Sequence, residues 1–240
     1  QGLTQIDAAD IGCGTGRYDI KLHDYLGKKL RLACIDDNEN MLGELIKNFK
    51  KHKIKIPKIQ KASADNLPLT TDSLDAIFTF NAIHHFRLSN FLEEIRRVLK
   101  DNGYLFVYTR LRSQNKRNIW GRFFPKFHKK ERRLYELNEF KEILKERPIL
   151  KLESIKYFKY KRVAGLGRLI NQSVNHHYST FFLYNKKEFK RALKNFRENI
   201  TQQFKNPDKI SWYDENVMLV IRKKPMKLPN GKGVTFLGGR

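Results

Sequence analysis

Along the first 110 residues the apolar positions keep switching between short continuous runs and stripes at helical spacing. An apolar-biased run from Leu3 to Ala9 predicts a strand, and Arg17 to Leu26 predicts a helix, with Gly12, Gly14 and Gly16 between them. Lys29 to Ile35, with Leu30, Leu32, Ala33, Cys34 and Ile35, reads as a short buried strand that ends in Asp36-Asp37. Asn38 is placed to cap a helix whose stripe is Met41, Leu42, Leu45, Ile46 and Phe49. Ile56 to Gln60 predicts a third strand and Leu74 to Asn81 an apolar central one. Phe91 to Leu99 is amphipathic and meets a left-handed helix stop at Asp101-Asn102-Gly103. Tyr104 to Thr109 stacks apolar residues as a buried strand does. Strand and helix alternate throughout, which predicts an α/β fold with a doubly wound parallel sheet.

Beyond Arg110 the pattern changes. Leu111 to Arg133 mixes Arg and Lys with Trp120, Phe123, Phe124 and Phe127 around Pro125, and reads as a lid or cap loop rather than core. A short helix is expected over Asn138 to Glu146, a strand over Leu150 to Tyr160, and helices over Val163 to Asn175 and Lys186 to Phe204. Val217 to Ile221 reads as the last strand. The tail from Pro225, with four glycines, carries no packing signal and is expected to be mobile. The chain therefore divides into residues 1–110, residues 111–224 and a tail, 225–240.

A length of 240 residues allows one large domain, or one domain with an insertion. The formal net charge of +24 is uneven. Residues 1–100 hold 16 Lys+Arg and 13 Asp+Glu, whereas the remainder holds 33 and 12. A basic C-terminal half favours an anionic partner: nucleic acid, an acidic metabolite or an anionic membrane surface. A well-solvated lysine-rich surface accounts for the same charge. Two cysteines, Cys13 and Cys34, stand at no metal-ligand spacing, so neither a disulfide framework nor a metal site is expected. No apolar run approaches the roughly 18 residues of a membrane span, and no signal-peptide pattern opens the chain. A cytoplasmic protein is expected. The first strand begins almost at once, without a helix before it, so further N-terminal sequence is also expected.

A strand, a glycine-rich turn and a helix N-terminus form a usual seat for a nucleotide-like ligand at the carboxyl edge of a parallel sheet. Glycines at alternate positions turn the backbone tightly and let it approach a ligand with no Cβ in the way. Asp36, about twenty residues further on, stands where a carboxylate accepts hydrogen bonds from both ribose hydroxyls. A solvated acid at a helix start fits that position too. Asp65 lies on the loop after the third strand, where a carboxylate suits the exocyclic amino group of adenine.

Five ordered segments carry a family resemblance. They are Asp10-x-Gly12-x-Gly14-x-Gly16, Cys34-Ile35-Asp36-Asp37 with Met41-Leu42, Ala64-Asp65-Asn66-Leu67-Pro68, Leu74-Asp75-Ala76-Ile77, and Arg97 to Gly103. Together they resemble the successive motifs of class I S-adenosylmethionine-dependent methyltransferases, over roughly residues 3 to 110, with Val217 a looser match. The G-x-G-x-G spacing and the Leu-Pro after Asp65 speak against a nicotinamide dehydrogenase. The resemblance implies a Rossmann-like, mostly parallel seven-stranded sheet with helical cap insertions in the C-terminal half. It implies S-adenosylmethionine as cofactor and S-adenosylhomocysteine as product. The turn Gly12 to Gly16, with Cys13, would wrap the methionine portion, and Asp10 would lie near its ammonium. Asp36 would hold the ribose; Asp37, Met41, Ala64, Asp65 and Asn66 would border the adenine; Asn81 would face the methionine end. Asn102-Gly103 departs from the commoner Gly-Gly or Pro-Gly.

Methyl transfer from a sulfonium is an in-line displacement, and a general base is needed where the acceptor holds its proton. His84 and His85 are the candidates, and histidines that pack or order the loop explain the same positions. For the acceptor, the segment Asn81 to Phe86 and Val107-Tyr108-Thr109-Arg110 with Gln114 look similar to tRNA wobble-uridine carboxymethyl methyltransferases. The other motifs are shared with small-molecule methyltransferases of the quinone-pathway type. There Trp120, Phe123, Phe124, His177, Tyr178 and Phe181 would wall an acceptor pocket, and Arg110, Arg112 and Arg122 would hold a carboxylate or phosphate. A small, anionic or aromatic acceptor is expected, with tRNA as the alternative and a non-catalytic binding module as a third.

Overall fold

A computed structural model describes residues 5–225. The sheet runs β1 (Ile6–Ile11), β2 (Leu30–Asp36), β3 (Lys58–Lys61), β4 (Leu74–Phe80), β5 (Leu99–Thr109), β6 (Leu150–Ala164) and β7 (Ile210–Lys223) in chain order. Its spatial order is β3-β2-β1-β4-β5-β7-β6. Pairings among β1 to β5 are parallel, while β7 lies antiparallel to both β5 and β6. The connections run outward from β1 through β2 to β3 and then return to β4 on its other side. The carboxyl ends of β1 and β4 therefore flank the crevice where such sheets take their ligands.

Helix α1 (Arg17–Leu26) follows the glycine turn, and α2 (Glu39–Lys51) starts at Asn38, whose Oδ1 accepts from the N–H groups of Asn40 and Met41. Leu42, Leu45 and Phe49 of α2 pack with Ile20 and Cys34, but Met41, expected in the stripe, is 41% exposed. On the opposite face α3 (Leu88–Val98) buries Phe91, Leu92, Ile95 and Val98. It begins three residues before Phe91, and β5 follows it directly. The expected stop at Asp101 to Gly103 is instead a kink at the start of that strand, where Asn102 takes φ 65° and the β4 pairing shifts register.

The expectation of a loop over Leu111 to Arg133 is corrected. This stretch forms α4 (Arg112–Arg117), α5 (Ile119–Phe123) and α6 (Phe127–Lys130), followed by α7 (Leu137–Lys145). With α8 (Leu166–Val174) and α9 (Lys186–Gln203) it encloses a second core around Trp120, Phe124, Phe127, Phe181 and Phe196. The aromatics turn inward and the cations outward on helices too short to show a period. The last two strands are also longer than expected. β6 continues to Ala164, so α8 starts at Leu166 rather than Val163, and β7 begins at Ile210 rather than Val217. The strand expected from Leu3 runs from Ile6; residues 1–4 and the expected tail beyond Pro225 lie outside the described residues. Among the described residues no helix is long and apolar enough to cross a membrane.

Candidate active site

The turn after β1 is shaped by three glycines with φ of 73°, 54° and 74° at Gly12, Gly14 and Gly16. Two of them differ in what surrounds them. A Cβ on Gly12 would lie 2.5 Å from Ala82 Cβ and 2.9 Å from Phe86 Cζ, whereas one on Gly14 would have nothing within 4 Å. Gly12 thus closes the turn against the loop after β4, and Gly14 faces open space. The N–H groups of Gly12 and Cys13 donate to the Ile35 carbonyl at 2.8 and 3.2 Å. Gly14 N–H donates to Asp36 Oδ2 at 2.8 Å, and Asn38 N–H donates to Asp36 Oδ1 at 2.9 Å. Asp36 therefore ties the turn to the start of α2 and keeps lone pairs for a further donor.

Beneath the turn sit two acids. Asp10 is 1% exposed and Asp19, on the inner face of α1, is 0% exposed. Asp10 Oδ1 and both carboxylate oxygens of Asp19 have no hydrogen-bond partner among the described residues. Burial, and then the adjacent Asp19, push the Asp10 carboxyl well above the usual range. Burial raises Asp19 to about 6. Cys13 and Cys34 are free and buried beside them, and the Cys34 thiol is pushed up by Cys13, burial and these carboxylates. The two buried carboxyls lie next to one another under the turn, and the charge of Asp19 disfavours the ionised form of Asp10.

This pair has a measurable cost. Asp19 is protonated in both folded and unfolded chains below about pH 4, so stability there is unaffected. As pH rises from about 4 to 6 the unfolded chain ionises first, and the folded state loses stability through that window. Asp19→Asn is expected to be more stable than the parent at pH 7 by up to about 3 kcal/mol, and by much less at pH 4. Urea titrations of both proteins at the two pH values check it; a difference that does not change with pH contradicts it.

The remaining cofactor candidates line the carboxyl edges of β2, β3 and β4. Asp37 and Met41 are exposed beside Asp36, and Ala64 is buried below the exposed Asn66. Asp65 is held by Arg87, whose Nε donates to Oδ2 at 2.5 Å; the Arg87 side chain is itself 78% exposed. Asn81 takes φ 56°, donates its N–H to the Tyr108 carbonyl at 2.7 Å, and its Nδ2 donates to the Tyr18 hydroxyl at 3.1 Å. The Tyr18 ring stacks on Phe80 with centroids 4.5 Å apart, which steadies both sides of the crevice.

His84 and His85 occupy a 3-10 turn, Ile83–His85, with ring centroids 4.2 Å apart. Burial and the neighbouring His85 lower His84 to about 3, and its Nδ1 has no partner among the described residues. Burial and then Arg133, whose Nη1 lies 3.5 Å from His85 Nδ1, lower His85 as well. A ring held neutral so firmly is a weak proton acceptor but a usable hydrogen-bonding group. Arg133 is fixed from the other side by Glu131, which is 2% exposed: Arg133 Nε and Nη2 donate to it at 2.8 and 2.6 Å, and Thr180 Oγ1 at 2.7 Å. The cap is thereby fastened to the loop after β4. Beside this contact opens a cleft of about 460 Å³, lined by His84, Phe86, Arg112, Arg132, Arg133 and Tyr135 among others. Glu131, Arg132, Arg133, Tyr135 and Asp19 were not singled out from sequence. An acid at the inner position of an amphipathic helix was the available signal for Asp19.

The expected acceptor residues scatter. Trp120 and Phe124, each 2% exposed, are corrected from pocket walls to cap core: Trp120 packs on Tyr178 and Phe181, and Phe124 on Phe181 and Phe196. Arg110 is occupied, donating to the Glu215 carbonyl and to Asp214 at 3.2 Å each, with its guanidinium 5.6 Å from the Tyr178 ring centroid. Arg122 is exposed above Phe123. Arg112 lines the cleft, paired with both oxygens of Glu139. His177 is lowered by burial and then by Arg17, which places this part of the cap near the start of α1.

Residues 9–107 match the family model of a methyltransferase domain. An uncharacterized methyltransferase, YodH of Bacillus subtilis, is 34% identical over 97 residues, 40% of each chain. A human protein described as probable tRNA methyltransferase 9B is 30% identical over 122 residues, 46% of this chain and 23% of that one. The chain thus spans less than half the length of these relatives. The crystal structure of a putative methyltransferase from Bacillus halodurans aligns over 92% of this chain and 94% of its own with a TM-score of 0.63 at 17% identity, a likeness of fold. With that sheet, that glycine turn and those motifs in order, residues 9–107 match a methyltransferase domain, and the described chain has the fold of a solved methyltransferase structure.

Proposed function

We propose that the chain transfers a methyl group from S-adenosylmethionine to a small acceptor that carries an anionic group or an aromatic ring, in the cytoplasm. The observation that carries this reading is the open Gly14 backbone held against Asp36 over the buried Asp10 and Asp19. The turn Gly12 to Gly16, with Cys13, holds the methionine portion, and Asp10 lies beneath the turn near the ammonium. Asp36 accepts from the ribose hydroxyls, Asp37 and Met41 border the base, and Ala64, Asp65 and Asn66 close its far side. Asn81 faces the methionine end. The cofactor supplies a methyl group on a sulfonium, which an acceptor lone pair displaces in line, so the residues around it chiefly align and desolvate. His84 offers a neutral hydrogen-bonding ring, and His85 is the more exposed proton acceptor of the two. On this reading residues 1–110 hold the cofactor and residues 111–224 shape the acceptor side.

Asp36→Ala is expected to weaken S-adenosylhomocysteine binding at least tenfold, by roughly the 1.5–3 kcal/mol of a hydrogen bond to a charged group. Titration calorimetry checks it, with circular dichroism to show that the variant folds. A parent protein that fails to bind S-adenosylhomocysteine overturns the enzyme reading in favour of a binding module.

A tRNA acceptor is the second reading, favoured by the 33 Lys+Arg beyond residue 100 and by the 30% identity over 122 residues to the human protein described as probable tRNA methyltransferase 9B. Filter binding to bulk tRNA at several salt concentrations tests it. Tight binding with a steep salt slope supports tRNA, and weak binding at 150 mM salt removes it.

A further inference from the structure

The cleft beside His84 carries more positive charge than its own acids neutralise. Three guanidiniums line it, from Arg112, Arg132 and Arg133, against one lining carboxylate, Glu139. Arg112 is fully engaged: Nη1 and Nη2 donate to Glu139 at 3.1 and 2.9 Å, and Nε donates to the Leu134 carbonyl at 3.0 Å. Arg133 is held from behind by the buried Glu131 and donates to Ser179 Oγ at 3.1 Å. The Arg132 guanidinium has no acceptor among the described residues. One unmatched arginine thus lines the cleft, with a second, held by Glu131, next to it in the chain. The other walls are unlike a simple ion site. Phe86, Tyr135 and Ile143 are half-buried and give an apolar lining, to which the neutral His84 ring adds. A volume of about 460 Å³ lies within the usual range for a small organic ligand.

We propose that this cleft is an anion subsite for the acceptor, in which Arg132, with Arg133 beside it, takes the carboxylate or phosphate of a small molecule whose apolar body lies against Phe86 and Tyr135. The proposal rests on the methyl-transfer reading for the role of the ligand, and on the cleft alone for its chemistry. A planar guanidinium fork matches either anion, so carboxylate and phosphate share the site. The subsite sits at the loop after β4, on the same crevice edge as Asn81, which brings the far end of the ligand towards the methyl donor. It differs from the sequence expectation in its residues: Arg110 and Arg122 are replaced by Arg132 and Arg133.

The test uses the full chain saturated with S-adenosylhomocysteine and titrated with benzoate, phenyl phosphate, benzyl alcohol and inorganic phosphate. Benzoate or phenyl phosphate is expected to bind at least tenfold more tightly than benzyl alcohol, and the preferred one names the anion. Arg132→Glu is expected to weaken that ligand at least tenfold, while Arg197→Glu, the same charge change on the exposed face of α9, leaves it within twofold. Arg132 is exposed, so the variant folds; thermal melts confirm it. Equal binding of benzyl alcohol, equal losses in the two variants, inorganic phosphate as tight as the aromatic anions, or no binding of any probe overturns the proposal. If S-adenosylhomocysteine does not bind but the aromatic anions still depend on Arg132, the cleft stands and the methyl-transfer reading falls.

Discussion

Gly12→Ala is expected to cost the fold about 3 kcal/mol, the sum of a left-handed backbone in a residue with a Cβ and an overpacked contact. The backbone at Gly12 has φ 73°, and the new methyl would stand 2.5 Å from Ala82 Cβ and 2.9 Å from Phe86 Cζ. Ala82 has no rotamer with which to withdraw, so the loop after β4 has to shift. Gly14→Ala is the matched comparison, since φ is 54° there but nothing lies within 4 Å. It carries only the backbone share, about 1 kcal/mol, yet places its methyl where the cofactor is proposed to lie. Urea denaturation should rank Gly12→Ala as the less stable variant, and calorimetry should show Gly14→Ala losing S-adenosylhomocysteine affinity in a folded protein. Equal urea midpoints would mean that Gly12 is not packed as described.

Trp120→Ala is expected to be costlier still, about 4 kcal/mol for a buried aromatic replaced by a methyl. The ring meets Tyr178, Phe181 and Trp212 with centroids 5.0, 6.5 and 6.2 Å away, and its Nε1 donates to Ser173 Oγ at 3.1 Å. Ser173 also donates to the Leu169 carbonyl at 3.0 Å, so its hydroxyl keeps one partner. The damage falls on the cap, because its core is a cluster separate from the one beneath the sheet. Hydrogen exchange should therefore show α8 and α9 losing protection while β1 and β4 keep theirs. Uniform loss across both would show instead that the clusters unfold as one unit.

The contrast between those two cores explains what the sequence made legible. In the first half each helix is long enough to display its stripe, as Leu42, Leu45 and Phe49 do on α2, and the central strands carry short apolar runs, such as Ala76 to Phe78 on β4. Alternation and glycine spacing then define both topology and turn. In the second half, α4, α5 and α6 have six, five and four residues, shorter than two helical turns, so the inward Trp120 and Phe127 look like scattered aromatics in a basic loop. The outer ends of β6 and β7 escaped for a related reason. From Lys159 to Val163 the strand is exposed on both faces, and its pairing with Ser211 to Glu215 leaves no hydrophobic alternation to read. At the site, residues fixed by backbone geometry were visible, since a left-handed turn selects glycine. Arg132 and Arg133 were not, because nothing local separates a guanidinium that faces a cleft from one that faces water.

Phe86 belongs to both halves of the site. Its ring fills the space that a side chain at Gly12 would need, and it also lines the arginine cleft. The glycine turn and the cleft therefore share a wall. Thermodynamic reciprocity then applies: whatever factor S-adenosylhomocysteine imposes on anion affinity, the anion must impose on S-adenosylhomocysteine. With donor and acceptor placed as proposed, a single phenyl ring is the contact through which their occupancies would be coupled.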